Sequence, residues 1–198
     1  MRYLTRTPDW EEDHPAWSPD GTIAFCSRRH GKADIHAMDR DGSNQRTLSN
    51  HPSFEVESAY DPDGLRIVFT TDRDSQRRFY VMNPDGTDQR PLEATDADGD
   101  DPAFSADRQW ITFTSKRDGN ESIYVMRAGA TEPRRVTPAG LLAWQASFSP
   151  DASQLVFNTQ VGERRQLHRI DVGGSNLVNL SNCDADELAA HWGPELRC

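Results

Sequence analysis

Carboxylates are the reactive groups that this chain spaces most densely. Of its 32 Asp and Glu residues, fourteen fall in four short stretches: Asp9, Glu11, Glu12 and Asp13; Glu55 and Glu57; Glu93, Asp96, Asp98, Asp100 and Asp101; and Asp184, Asp186 and Glu187. Oxygen ligands at Asp96, Asp98 and Asp100 are of the kind calcium prefers, but the stretch lacks the loop length and terminal bidentate Glu of an EF-hand. A solvated acidic turn is the better reading, and no cofactor is expected. Six histidines are present, of which His14 and His191 lie close to acidic stretches. Cys26, Cys183 and Cys198 are unevenly spaced and form no C-x-x-C pair, so a disulfide framework is not expected. The sequence holds no G-x-S-x-G elbow, no H-E-x-x-H, no glycine-rich phosphate loop and no dinucleotide fingerprint. Catalysis therefore finds no support in the residues.

The elements that must position these groups recur. A short phrase built on an aromatic appears as HPAWSPDG at 14–21, SAYDPDG at 58–64, DPAFSADR at 101–108, ASFSPDAS at 146–153 and AAHWGPE at 189–195. The aromatics Trp17, Tyr60, Phe104, Phe148 and Trp192 are 43, 44, 44 and 44 residues apart. A second anchor, the last apolar residue of each unit, falls 44 residues apart at Leu4, Leu48, Leu92, Val136 and Leu180. Two agreeing registers with this period point to propeller blades or a similar array. After each aromatic phrase comes a run with large apolar residues at alternate positions, Ile23/Phe25, Ile67/Phe69, Ile111/Phe113 and Leu155/Phe157, which is the period of a strand. A second run, IHAM, FYVM, IYVM or LHRI, has the aromatic and β-branched content of another. Pro-Asp-Gly at 19–21 and 62–64 and Asp-Gly at 41–42 and 85–86 supply tight turns between runs.

Each unit thus predicts four short antiparallel strands, A to D, in a meander. The expected fold is all-β: a β-propeller of four-stranded blades forming one domain over 1–198. Its units span about 6–49, 50–93, 94–137 and 138–181, and remnant strands at 1–5 and 188–195 leave the ring open or incomplete. The aromatics and Ile/Phe pairs are read as core between blades. The phrase P-x-aromatic-S-P-D-G, followed by I-x-F-x-S, I-Y-V-M-x-x-D-G and R-x-L-T/S, resembles the repeat of the TolB-like, WD-repeat-like β-propellers, and the resemblance covers essentially the whole chain. Such blades occur in TolB, in the propellers of prolyl-oligopeptidase-type peptidases and in some polysaccharide lyases, so the fold licenses no particular reaction.

An excess of ten acidic over basic residues argues against nucleic-acid phosphates and anionic membranes as partners. No apolar run is long enough to span a bilayer. The resemblance implies a periplasmic setting. The opening MRYLTRTPDWEEDH has no apolar signal core, so the expected setting is cytoplasmic if no signal has been removed. The acidic stretches are expected in loops from strand D to the next strand A, ringing a channel face that binds a protein or peptide, cationic in part, through Glu12, Asp13, Glu55, Glu57, Asp98, Asp100, Asp101, Trp144, Asp186 and Glu187. Loops between strands B and C carry Arg28, Arg29, Lys32, Arg73, Arg77, Arg78, Lys116, Arg117, Arg164 and Arg165, which either bridge to the acidic loops of adjacent blades or form a surface of their own. The alternative function is the propeller module of a hydrolase or of a metal-dependent lyase. Pairing of two copies through the remnant strands is a further expectation.

Overall fold

A computed structural model describes residues 3–5, 7, 10–29, 31–92, 99–130, 132–181 and 192. Among them every regular element is a strand, and the strands form four antiparallel four-stranded sheets. The chain divides into two compact units, Met1–Leu92 and Glu93–Cys198, each with two sheets. In the first unit, β1 (Glu12–Trp17), β2 (Ile23–Ser27), β3 (Asp34–Met38) and β4 (Arg46–Thr47) form one sheet; β5 (Glu55–Tyr60), β6 (Ile67–Thr71), β7 (Arg78–Met82) and β8 (Arg90–Pro91) form the other. The second unit repeats the plan with β9 (Asp100–Phe104), β10 (Trp110–Ser115), β11 (Ser122–Arg127) and β12 (Arg134–Arg135), then β13 (Leu142–Phe148), β14 (Gln154–Val161), β15 (Arg164–Asp171) and β16 (Val178–Asn179). Strand order follows the chain in every sheet, as expected of propeller blades.

The second strand of each blade is buried on both faces, with large residues on one and small or polar ones on the other. In β2, Ile23 and Phe25 alternate with Ala24 and Cys26; in β6, Ile67 and Phe69 alternate with Val68 and Thr70. Within the first unit, Ala24, Ile35, Ala37 and Leu48 of one blade receive Tyr60, Ile67, Phe69, Tyr80 and Met82 of the next. The second unit packs Ile123, Val125 and Val136 against Phe148, Leu155, Phe157 and Ile170 in the same way. The aromatic anchors are therefore not uniformly core. Tyr60 and Phe148 sit in the second blade of their units and are buried on the first, whereas Trp17, at the end of the first unit's leading blade, is 61% exposed.

The fourth strand is two residues long in every blade, and in three of them a side-chain hydroxyl takes over its ladder. The Leu48 N–H donates to the Ile35 carbonyl (2.8 Å), and the Ile35 N–H donates to Ser49 Oγ (2.8 Å) instead of to a further carbonyl. Thr137 and Ser181 accept from Ile123 and Leu167 in the same manner, at 3.1 and 2.8 Å. The hydroxyl after the anchor thus satisfies an amide that would otherwise be buried unpaired.

Successive blades also touch through backbone. A Cβ on Gly86, whose φ is +86°, would stand 2.3 Å from the Leu48 carbonyl oxygen, and Gln89 Nε2 donates to the same oxygen (3.1 Å). Leu4 fills the corresponding place before the first blade, with its carbonyl facing Gly42 and Gln45 and its side chain on Ile23, Phe25 and Met38. It does so without being a strand, which departs from the expected remnant at 1–5. Most of the remnant at 188–195 lies outside the described residues. Within it, the Trp192 indole N–H donates to the Ser147 carbonyl (3.2 Å).

Phe69→Ala, at a fully buried position touching both blades of the first unit, is expected to lower the unfolding free energy by roughly 3–5 kcal/mol in urea denaturation. A loss of only a few tenths would contradict the packing described. Gly86→Ala combines left-handed strain with a backbone collision and is expected to cost about 2 kcal/mol or more. Gly31→Ala, at φ +85° in open space, should cost only about 1 kcal/mol. Equal losses would mean that the blades do not approach at Gly86.

Candidate functional site

Strand A of every blade carries a register shift at the same place, between Asp13 and Ala16, Val56 and Ala59, Asp100 and Ala103, and Trp144 and Ser147. One residue at each shift adopts a left-handed backbone: His14 (φ 47°), Glu57 (φ 56°), Asp101 (φ 55°) and Gln145 (φ 54°). None is glycine, so each costs on the order of 1–2 kcal/mol. Bulges re-aim side chains and recur beside functional surfaces. Because strand A begins before the bulge, Glu12, Asp13, Glu55, Glu57, Asp100 and Asp101 are strand residues, not the loop residues that the sequence suggested.

In the first unit this separates the acids into two roles. Glu12 and Glu55 point into their own blade. Glu55 is fully buried and paired with Arg73, and Glu12 lies 2.5 Å from Arg29 with both side chains mostly buried. The guanidinium of Arg29 lies 5.5 Å over Phe25, and that of Arg73 lies 5.6 Å over Phe69 and 4.5 Å over Tyr80. Arg28 also reaches strand A of its own blade, at 2.9 Å from Glu11 and 3.4 Å from Asp13. Arg28, Arg29 and Arg73 of the B–C loops therefore bridge within their own blade, a shorter reach than bridging to the acidic loops of adjacent blades.

The other strand A acids of the first unit, Asp13 and Glu57, lie at the bulges. Asp13 lies 3.0 Å from His14 Nδ1, and that contact, with the nearby charge of Arg28, holds its carboxyl below the ordinary range against the opposing effect of burial. Cys26, opposite Asp13 across the ladder, is buried, and burial reinforced by the Asp13 charge pushes its thiol up to about 12. It is a protonated packing residue at neutral pH, with none of the thiolate character a nucleophile needs.

In the second unit, Thr114 Oγ1 donates to Asp101 Oδ2 (3.3 Å) and accepts from the Gln145 N–H of the next blade (3.1 Å). Asn158 Nδ2 then donates to Gln145 Oε1 (2.9 Å). A chain of hydrogen bonds so joins the two bulges of this unit. Asp100 begins β9 and is half-buried, and Trp144 is half-buried on β13 beside Gln145. Asp98, Asp186 and Glu187 lie outside the described residues, as does Asp96 of the calcium-like stretch. Gln145 is the position that reading for acids overlooks. Its 44-residue register with Asp101 is the signal that finds it.

A sequence profile described as the TolB beta propeller domain matches residues 9–101 and 96–197. Among solved structures, putative TolB from Agrobacterium tumefaciens is similar at 25% identity with a TM-score of 0.73, over 85% of this chain and 64% of that one. TolB from Acinetobacter baumannii is similar at 23% identity and a TM-score of 0.75, over 87% of this chain and 44% of its own. An oligogalacturonate lyase in complex with manganese shares the fold at 20% identity and a TM-score of 0.61, with 87% and 49% covered. The chain thus spans less than two thirds of the length of each. With four meander blades and that profile matching from residue 9 to residue 197, the chain belongs to the TolB beta propeller domain family.

Proposed function

We propose that this TolB-family propeller is a non-enzymatic scaffold that binds a protein or peptide with a cationic segment through the carboxylates around the strand A bulges. The observation that carries this reading is the division of labour among the acids. Glu12 and Glu55 are used up inside the blades, while Glu11 keeps 81% of its side chain exposed and Asp13 39%, at the same end of β1. With a net charge of −10, such a rim attracts a cationic partner over distances that contact alone does not reach. Asp100 and Asp101 occupy the same point of the repeat in the second unit, where Trp144 adds an aromatic face. Glu57, Asp98, Asp186 and Glu187 complete the set by their place in the repeat. A periplasmic setting is the one that membership of the TolB family suggests.

A lysine-rich peptide titrated into the full chain is the direct probe. Binding is expected to weaken steeply between low and physiological salt. It should fall about tenfold in Asp13→Asn and in the double variant Asp100→Asn/Asp101→Asn, as loss of charged contacts at a recognition face does. Affinity insensitive to salt and unchanged in both variants would overturn the reading.

A further inference from the structure

The repeat compares one construction with itself four times, and one copy is incomplete. Four residues beyond the strand B phenylalanine stand Arg29, Arg73 and Arg117, then Val161 in the last blade. Each arginine rests on a ring: Arg117 lies 5.4 Å over Phe113 and 4.9 Å over Tyr124, as Arg29 and Arg73 do over theirs. Each donates through Nε to the hydroxyl two residues before it: Arg29 to Ser27 (3.0 Å), Arg73 to Thr71 (3.4 Å) and Arg117 to Ser115 (3.2 Å).

The acid that faces this hydroxyl varies. Glu12 lies opposite Ser27 and Glu55 opposite Thr71. In the third blade Asp100 is opposite Thr114, which sets Gly99 opposite Ser115. In the fourth, Ala143 is opposite Thr159. The last blade has lost arginine and acid together, as expected of a pair that is costly to break by halves. The third has lost the acid and kept the arginine. It has also lost the glutamine whose side-chain oxygen accepts from Arg29 and Arg73, each at 3.0 Å (Gln45 and Gln89), because Pro133 stands there. Arg117 is exposed where Arg29 and Arg73 keep only 16% and 11% of their side chains in water, and among the described residues no carboxylate lies within ion-pair reach of it. The neighbouring charges are already engaged: Asp118 by the Tyr124 hydroxyl and, at 3.8 Å, by Arg135; Lys116 by Glu121 at 3.1 Å.

We propose that Arg117 and Ser115 form a carboxylate-binding site, at which a ligand supplies the group that Glu12 and Glu55 supply in the first two blades. The rings below the guanidinium hold its plane, which leaves its donor edge for the two oxygens of a carboxylate. The carboxylate belongs to a peptide, as an acidic side chain or as a chain terminus. The site asks for the opposite charge from the strand A rim and does not rest on the function proposed there.

The test follows the Arg117 Nε–Hε resonance of the full chain by NMR. Three short glycine peptides are titrated: one capped at both ends with a single Glu, one with only a free C-terminal carboxylate, and a capped one with Gln. The acidic peptides should give saturable shifts with dissociation constants of roughly 1–10 mM, the strength of one charge-assisted pair, and the Gln peptide none. Whichever acidic peptide binds more tightly names the source. In Arg117→Gln the remaining signals of β10 and β11 should no longer respond, while the unfolding midpoint stays near that of the parent. Gly99→Glu should restore the internal pair and abolish the response. Absence of a saturable shift, including the case in which an acid of the chain already holds Arg117, overturns the proposal. So does an unchanged response of β10 and β11 in Arg117→Gln.

Discussion

Burial on both faces of a thin sheet is the constraint from which the rest of this structure follows. In the first three blades the second and third strands are almost wholly inaccessible to water, yet a four-stranded meander has nothing of its own with which to cover either side. Only another blade supplies the cover. The asymmetry of the faces sets the fit: alanines and branched side chains on one surface leave room for the phenylalanines and tyrosines of the next. Each buried aromatic contributes about 1.5–3 kcal/mol, so the contact between blades outweighs the backbone strain accumulated at the bulges.

That packing also decides what the charged groups can do. An arginine lying over an aromatic ring at the end of strand B is already partly withdrawn from water, and a carboxylate at the start of strand A completes it. Such a pair is a poor source of net stability but an expensive one to leave half made. The acids of the first two blades therefore sort by geometry. Those two residues before the bulge pair with an arginine of their own blade, whereas Asp13, beside it, contacts His14 and Arg28 nearer the surface.

Much of the fold was legible in the chain because its signals are local and repeated. Alternation at Ile67/Phe69, turn residues such as Pro62-Asp63-Gly64 and the R-x-L-T/S ending each translate directly into an element, and the hydroxyl of that ending proved to have a defined hydrogen-bonding role. The bulge was not legible. His14, Glu57, Asp101 and Gln145 share no side-chain chemistry that announces a left-handed backbone, and glycine stands at none of the four positions. Without the bulge, the start of strand A reads as a loop and its acids read as equivalent. Trp17 was misread for a related reason. Its neighbours in the sequence are those of a core aromatic, but exposure depends on whether another blade covers it.

The amino-acid sequence alone determined the period, the strand content and the kind of sheet, since these rest on contacts between residues a few positions apart. Only the tertiary structure decided which carboxylates are spent on arginines, where the backbone turns left-handed and that glycine, not an acid, stands opposite Ser115 beside Arg117. Those outcomes depend on register between strands, and a shift of one residue in an antiparallel ladder exchanges one face for the other without altering the pattern from which the strands were read.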